Sequence, residues 1–280
     1  MERVSFKPKR FLSKYIDRFY IFKKSSSIEF NLPTVLPGTG LELLFHLNSS
    51  LSLKNNKLKE SHIICPRKVF EFDKTNNVNF ISVRFKSGAF RHFTAIPYSE
   101  LNDSCLSITE IWGNKGHELL NRINASQNLK QKIALIENFL FLQLMENRKE
   151  KNEKWDSIIA VLYKEFRTIN LIELSKNSHL SYRQFERNFR EQFGITAKRF
   201  QLLVRFQDTV KKSLLNDKVS YLNNALDNGY FDQSHFINEF QTLVGLKPMN
   251  YLLKENFEES FYFHSIKSSD FSFQVKAQKG

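Results

Sequence analysis

Ser181-Tyr182-Arg183-Gln184-Phe185-Glu186-Arg187-Asn188-Phe189, running on to Gly194, is matched fifty-one residues later by Asp232-Gln233-Ser234-His235-Phe236-Ile237-Asn238-Glu239-Phe240, running on to Gly245. Each copy opens on a residue suited to cap a helix, carries aromatics at its fifth and ninth positions, and reaches a glycine five residues later. One such block is an amphipathic helix with a glycine stop. Two, each preceded by a shorter helical pattern, predict a pair of helix-turn-helix units and with them an affinity for duplex DNA.

In the first unit Leu171 to Ser178 reads as the supporting helix, with Leu174 inward and Ser175 as the small residue where two helices cross. His179-Leu180 makes the turn and Ser181 caps the recognition helix. Tyr182, Phe185 and Phe189 share one face and are expected to be buried. Arg183, Arg187 and Arg190 share the opposite face, where planar guanidinium groups can bond guanine edges or phosphate oxygens in pairs. A charged outer face is also what any solvated helix carries; the cap, the crossing residue and the repeat favour DNA. In the second unit Ser220 to Asn228 supports, Ala225 is the crossing residue, Gly229-Tyr230-Phe231 turns and Asp232 caps, with Phe236 and Phe240 buried. Here the outward positions are neutral: Ser234, Asn238 and Gln241. Residues 171–205 hold seven basic side chains against three acidic, whereas 217–251 hold two against four. Phosphate attraction dominates affinity for DNA, so the first unit is expected to supply most of it. Between them Ala197 to Leu215 reads as one connecting helix, with Phe200, Leu203, Val204, Phe206, Val210 and Leu214 apolar. A rigid connector lets one chain address successive major-groove segments about 34 Å apart.

From about Trp155 to Leu253 the sequence resembles the DNA-binding domain of AraC/XylS-type transcription regulators. The resemblance rests on Leu174-Ser175, Leu180-Ser181-Tyr182-Arg183, Phe185-Glu186-Arg187-Asn188-Phe189, Gly194, Arg205, Ala225, Gly229-Tyr230-Phe231-Asp232-Gln233-Ser234-His235-Phe236, Phe240, Gly245, Pro248 and Tyr251. It implies base contacts from Arg183, Glu186 and Arg187, and from Gln233, Ser234 and Asn238. With their neighbours Tyr182, Gln184, Arg190 and His235, these are the candidate DNA-contacting residues. It also implies double-stranded promoter DNA as partner, with RNA polymerase, a small-molecule effector and a second copy, joined through the N-terminal domain, as further candidates. The sequence departs from the family pattern in the second unit. Asn224 and Asn228 replace apolar residues, and Asn238 and Gln241 stand where basic residues are frequent. An unsatisfied buried amide would cost roughly 1–3 kcal/mol, so the second unit is expected to be less stable or to hold DNA weakly.

The first hundred residues read mostly as strands: Leu41 to Leu47, His62 to Cys65, Lys68 to Phe72 and Val78 to Phe85, with turns at Pro37-Gly38-Thr39-Gly40 and Lys54-Asn55-Asn56-Lys57. Helical patterns begin near Ile108. Ile133, Ile136, Leu140 and Leu144 form an apolar stripe that can face its own domain or a second subunit. Strands, then helices, ahead of such a C-terminus resemble the cupin-like sensing domains of the same family, and Leu36 to His46 and Ile111-Trp112-Gly113 look like segments of one. The expected architecture is α+β: a β-rich cupin-like domain over 1–147, a charged linker over 148–154, an all-α domain over 155–256 with two units joined by a connecting helix, and a tail over 257–280.

The seven histidines show neither His-x-His nor His-Glu-x-x-His, so no metal site is expected, and His46 reads as a core or pocket residue. Cys65 and Cys105 are isolated and suit a reducing compartment. Cys65-Pro66-Arg67 lacks the Pro-Cys-His-Arg pattern of the alkyl-transfer proteins that share an AraC-like domain, which leaves no catalytic constellation and no cofactor. The net charge of +13 favours polyanionic partners, but it lies elsewhere than the repeat: 23 Lys and Arg against 14 Asp and Glu in residues 1–150. That excess, concentrated at Arg67, Lys68, Arg84, Lys86 and Arg91, can be solvated surface, an auxiliary DNA contact or an attraction for an anionic effector. There is no signal-peptide-like start and no long apolar run, which predicts a cytoplasmic protein without a membrane partner. The alternative to a regulator is a ligand-binding or enzymatic cupin-like protein whose helical domain serves only for interaction.

Overall fold

The computed structural model describes residues 2–69, 71–147, 151–215 and 221–252, so the expected tail over 257–280 lies outside the described residues. The N-terminal half is built on a five-stranded antiparallel sheet. Strands β1 (Glu2–Phe6), β2 (Ile16–Phe30), β3 (Leu41–His46), β6 (Ser61–Ile64) and β7 (Thr75–Phe85) lie in the order β1-β2-β7-β3-β6. A small hairpin, β4 (Ser52–Leu53) and β5 (Asn56–Lys57), stands apart. Its turn residues Lys54 and Asn55 have φ of 51° and 63°, the left-handed pair that a two-residue hairpin demands.

The sheet is covered on both faces. Leu43, Phe45, Ile81, Val83 and Phe85 pack on α3 (Asn114–Ala125) and α4 (Leu129–Glu146), while Tyr20, Phe22, Leu44, Val78 and Phe80 form a second cluster. Between sheet and helices run the short α1 (Tyr98–Leu101) and α2 (Ile108–Trp112), the latter opened by a Ser107/Glu110 capping box. The stripe Ile136, Leu140 and Leu144 is buried against its own domain.

One expected strand needs correction. Residues 68, 69, 71 and 72 are not in a strand, and the chain entering this stretch is held elsewhere. The Asp103 carboxylate accepts the backbone N–H of Arg67 (2.7 Å) and of Lys68 (2.9 Å), and the Arg67 guanidinium donates to the Gly38 and Gly40 carbonyls. The charged stretch 148–154 is in part helical: α5 (Lys151–Glu165) starts inside it, and Trp155 already belongs to the next core.

The C-terminal part is helical: α6 (Leu171–Asn177), α7 (Tyr182–Phe193), α8 (Ala197–Leu215), α9 (Tyr221–Asp227), α10 (Gln233–Val244) and α11 (Pro248–Tyr251) follow α5. The connecting helix α8 serves two cores. Phe200 and Val204 join Trp155, Leu162, Phe185, Phe189 and Phe193 in the first; Leu203, Phe206, Val210 and Leu214 join Phe236, Phe240 and Tyr251 in the second. Burying aromatics on both sides of one helix couples the separation of the two units to its rigidity. No helix among the described residues is long and apolar enough to cross a membrane.

Candidate nucleic-acid interface

The first unit is assembled from local hydrogen bonds. Asn170 caps α6 by accepting the Ile172 N–H at 2.8 Å. Ser175, fully buried, lets α6 and α7 approach and donates its hydroxyl to the Ile172 carbonyl (2.7 Å). His179 takes φ of 53°, and the Leu180 N–H reaches back to the Ser175 carbonyl (3.1 Å). Ser181 and Gln184 then form a reciprocal capping box that starts α7. Phe185, Phe189 and Phe193 are buried, whereas Tyr182, expected on that face, is exposed and donates its hydroxyl to Glu186 at 3.0 Å. The physical reason is its position in the first turn, where the helix emerges from the cap. Phe193, one further turn along the aromatic stripe, takes the third buried place.

Arg183, Arg187 and Arg190 are exposed on the opposite side, and none is drawn into an ion pair among the described residues. The other candidates of this helix are more committed. One Glu186 oxygen accepts the Ala197 N–H (3.0 Å), so the carboxylate caps α8 and ties it to α7. Gln184 spends its amide oxygen on the Ser181 N–H (3.1 Å).

The second unit repeats the frame. Ala225 is buried, Gly229 takes φ of 83°, and the Tyr230 N–H reaches the Ala225 carbonyl at 3.2 Å. Asp232 caps α10 by accepting the His235 N–H (2.7 Å). Behind the turn lies a polar cluster that the sequence did not reveal. Arg205 of α8 donates to Glu239 (2.7 Å) and stacks on the Tyr230 ring at 4.2 Å, while the Tyr230 hydroxyl also bonds Glu239. Burial first, and then the Glu239 charge, raises the Tyr230 phenol above its usual range, keeping it a neutral donor. His235 faces the same Glu239 at 4.0 Å and accepts the Phe231 N–H, so its role is tied to the turn. Gln233, Ser234 and Asn238 are exposed, as is Gln241.

Both atypical asparagines are buried, but they differ. The Asn228 amide donates to Thr209 (2.9 Å) and its oxygen accepts from Lys212 (2.7 Å), both on α8. Asn228 is therefore satisfied, against expectation. The Asn224 amide nitrogen has no partner, so the expected cost falls there alone.

The N-terminal half abuts the first unit. Asp156 of α5 receives Arg91, His92 (3.0 Å) and Lys14 (3.8 Å) from that half. Burial works to raise the Asp156 carboxyl, but the His92 hydrogen bond and the Arg91 charge outweigh it and hold the group low. The Asn102 amide donates to the Phe193 carbonyl (3.3 Å), and Thr39 and Ser87 share hydrogen bonds with Tyr163. Apart from Arg91, which belongs to the basic group of residues 1–150, and Thr39 in its turn, the side chains that make these contacts carried no signal in sequence, because each is a single polar group outside any motif.

Residues 174–254 match the family model of a helix-turn-helix domain. The C-terminal third thus holds a helix-turn-helix domain, as the repeat predicts. Residues 4–107 match a second model, described as a domain of unknown function (DUF6597). No curated protein matches the chain. Among solved structures, ToxT from Vibrio cholerae aligns over 84% of this chain and 97% of its own, at 13% identity and a TM-score of 0.47. ToxT from Vibrio cholerae O395, bound to (E)-4-(8-methylnaphthalen-1-yl)but-3-enoic acid, aligns over 83% and 96%, at 12% identity and a TM-score of 0.46.

Proposed function

We propose that this protein is a sequence-specific transcription regulator of the cytoplasm that binds promoter DNA through both helix-turn-helix units, the first supplying most of the affinity. The observation that carries this reading is the outer face of α7. Three exposed guanidinium groups stand opposite three buried phenylalanines, on a helix whose cap, turn and crossing residue are all satisfied. A recognition helix needs that combination: a fixed back and a free cationic front. Arg183, Arg187 and Arg190 carry the phosphate and guanine contacts; Tyr182 and Gln184 flank them at the helix start. Gln233, Ser234 and Asn238 read bases by neutral contacts, and Glu186 and His235 act chiefly by positioning the two helices.

The β-rich half is the sensing part of this reading, and it offers a place for an effector. Val35, Leu41, Leu44 and Phe72 line an apolar pocket that also exposes Glu42, Arg84 and, from α8, Gln207. Glu42 accepts from Tyr20 and Ser82 and pairs with Arg84 at 3.4 Å. Because Gln207 belongs to the helix joining the two units, a molecule held there would touch both halves of the protein. RNA polymerase and a second copy of the chain are the further partners of a regulator of this kind. The test is selection from a pool of random duplexes with the full chain at near-physiological salt. The expected result is enrichment of one bipartite sequence whose two blocks lie about one helical turn apart. Absence of any enriched sequence would sink the reading and leave the helical part an interaction module.

A further inference from the structure

The two units share a backbone frame up to a single point. The Leu180 and Tyr230 N–H groups close the same turn onto Ser175 and Ala225, and His179 and Gly229 take the same left-handed conformation. From crossing residue to helix cap there are then six steps in the first unit, Ser175 to Ser181, but seven in the second, Ala225 to Asp232. The extra residue is Phe231. At 89% exposure it has the most exposed large apolar side chain among the described residues.

The turn that presents this ring is rigid. Tyr230, before it, is buried and held by Arg205 and Glu239; Asp232, after it, is fixed by its cap to His235; and the Phe231 N–H itself bonds the His235 ring at 3.4 Å. A phenyl ring held in water by a satisfied backbone gains nothing for the fold. Its place is two residues before Gln233, at the end of α10 that leads a recognition helix into the major groove. The groups following it on the outer face are neutral and read bases by polar contacts; a ring beside them meets the one apolar feature of the major groove, the thymine methyl.

We propose that Phe231 is a specificity-determining residue of the second unit and packs against the 5-methyl group of one thymine. This rests on the DNA-binding reading above. The test uses the full chain and the duplex it selects from a random pool. Each thymine of the second block is replaced in turn by deoxyuridine, which removes only the methyl group, and binding is measured for wild type, Phe231→Ala and Phe231→Leu. One substitution should weaken wild type about fourfold, the worth of one buried methyl. Phe231→Ala should bind the unmodified duplex about tenfold more weakly and be indifferent to that deoxyuridine. Phe231→Leu should recover part of both effects. The proposal is overturned if Phe231→Ala keeps wild-type affinity, which would direct the ring to a protein partner. It is equally overturned if binding weakens with no thymine singled out, which would place the ring on the sugar-phosphate backbone. Failure of wild type to select any duplex would overturn the underlying reading instead, and is recognised before any variant is made.

Discussion

Gly194 and Gly245 end the two recognition helices with φ of 70° and 80°, so an alanine at either costs about 1–2 kcal/mol in backbone strain. Their surroundings differ. A Cβ at Gly245 would meet nothing within 4 Å. At Gly194 it would lie 2.1 Å from the Asn102 amide nitrogen and 2.9 Å from the backbone of both Tyr98 and Ser99. The amide can swing aside, but α1 is packed into the N-terminal core and cannot; overpacking of that kind adds roughly 1–3 kcal/mol. Gly245→Ala should therefore lower stability by about 1–2 kcal/mol and Gly194→Ala by about 2–5 kcal/mol. Urea unfolding of the full chain measures the difference. Amide hydrogen exchange should also quicken around residues 98–102 in Gly194→Ala and stay unchanged there in Gly245→Ala. Equal losses in the two variants, with no change in exchange, would refute the contact between α7 and the N-terminal half.

Acid should weaken the N-terminal half. His46 and His62 stack in its interior, and burial, aided at His46 by its neighbour, lowers their pKa values from 6.5 to about 3 and about 4. Because both folded values lie below the unfolded one, this stability is complete above pH 6.5 and drains away as pH falls toward 4. At pH 5 the loss is about 4 kcal/mol for the pair. Urea midpoints at pH 7 and pH 5 test it, and His62→Leu should remove about half of the difference. The two asparagines of the second unit should respond in opposite senses to apolar replacement. Asn224→Leu removes an unpartnered amide and should stabilise by roughly 1–3 kcal/mol, while Asn228→Leu breaks two hydrogen bonds of a buried amide, to Thr209 and from Lys212, and should destabilise by a similar amount even though Thr209 keeps the Arg205 carbonyl and Lys212 keeps Asp208; thermal unfolding distinguishes them.

The two-unit architecture was legible because helix-turn-helix units are local. Cap, crossing residue, aromatic stripe and glycine stop all lie within about twenty residues, and each acts through its nearest neighbours. The strand β2 escaped for the opposite reason. Phe19, Tyr20, Ile21 and Phe22 are all buried, since helices and loops cover both faces of the sheet, and the alternation that marks a half-exposed strand is absent. The extra residue of the second unit is legible in the turns, His179-Leu180 against Gly229-Tyr230-Phe231; the matched turn hydrogen bonds of Leu180 and Tyr230 show that it is Phe231. Glu186 shows a further limit. The family resemblance implies a base contact for it; the Ala197 N–H, eleven residues away, donates to one of its oxygens through a turn whose geometry no spacing rule supplies. The contacts of Asp156 and Tyr163 with the N-terminal half, and of Asn102 with Phe193, depend on how two cores meet, and single polar residues do not announce such meetings.

The asymmetry between the two outer faces is the central claim, and the salt dependence of binding tests it most directly. Affinity for the selected duplex is measured across a range of salt for wild type, for Arg183→Ala/Arg187→Ala/Arg190→Ala and for Ser234→Ala/Asn238→Ala/Gln241→Ala. Each lost phosphate contact flattens the logarithmic salt slope by about 0.9. The arginine variant should bind at least a hundredfold more weakly, with a slope flatter by about 1–3, depending on how many of the three meet phosphate. The neutral-face variant should lose less than about tenfold and keep the wild-type slope. Equal losses in the two variants, or an arginine variant with an unchanged slope, would contradict the account.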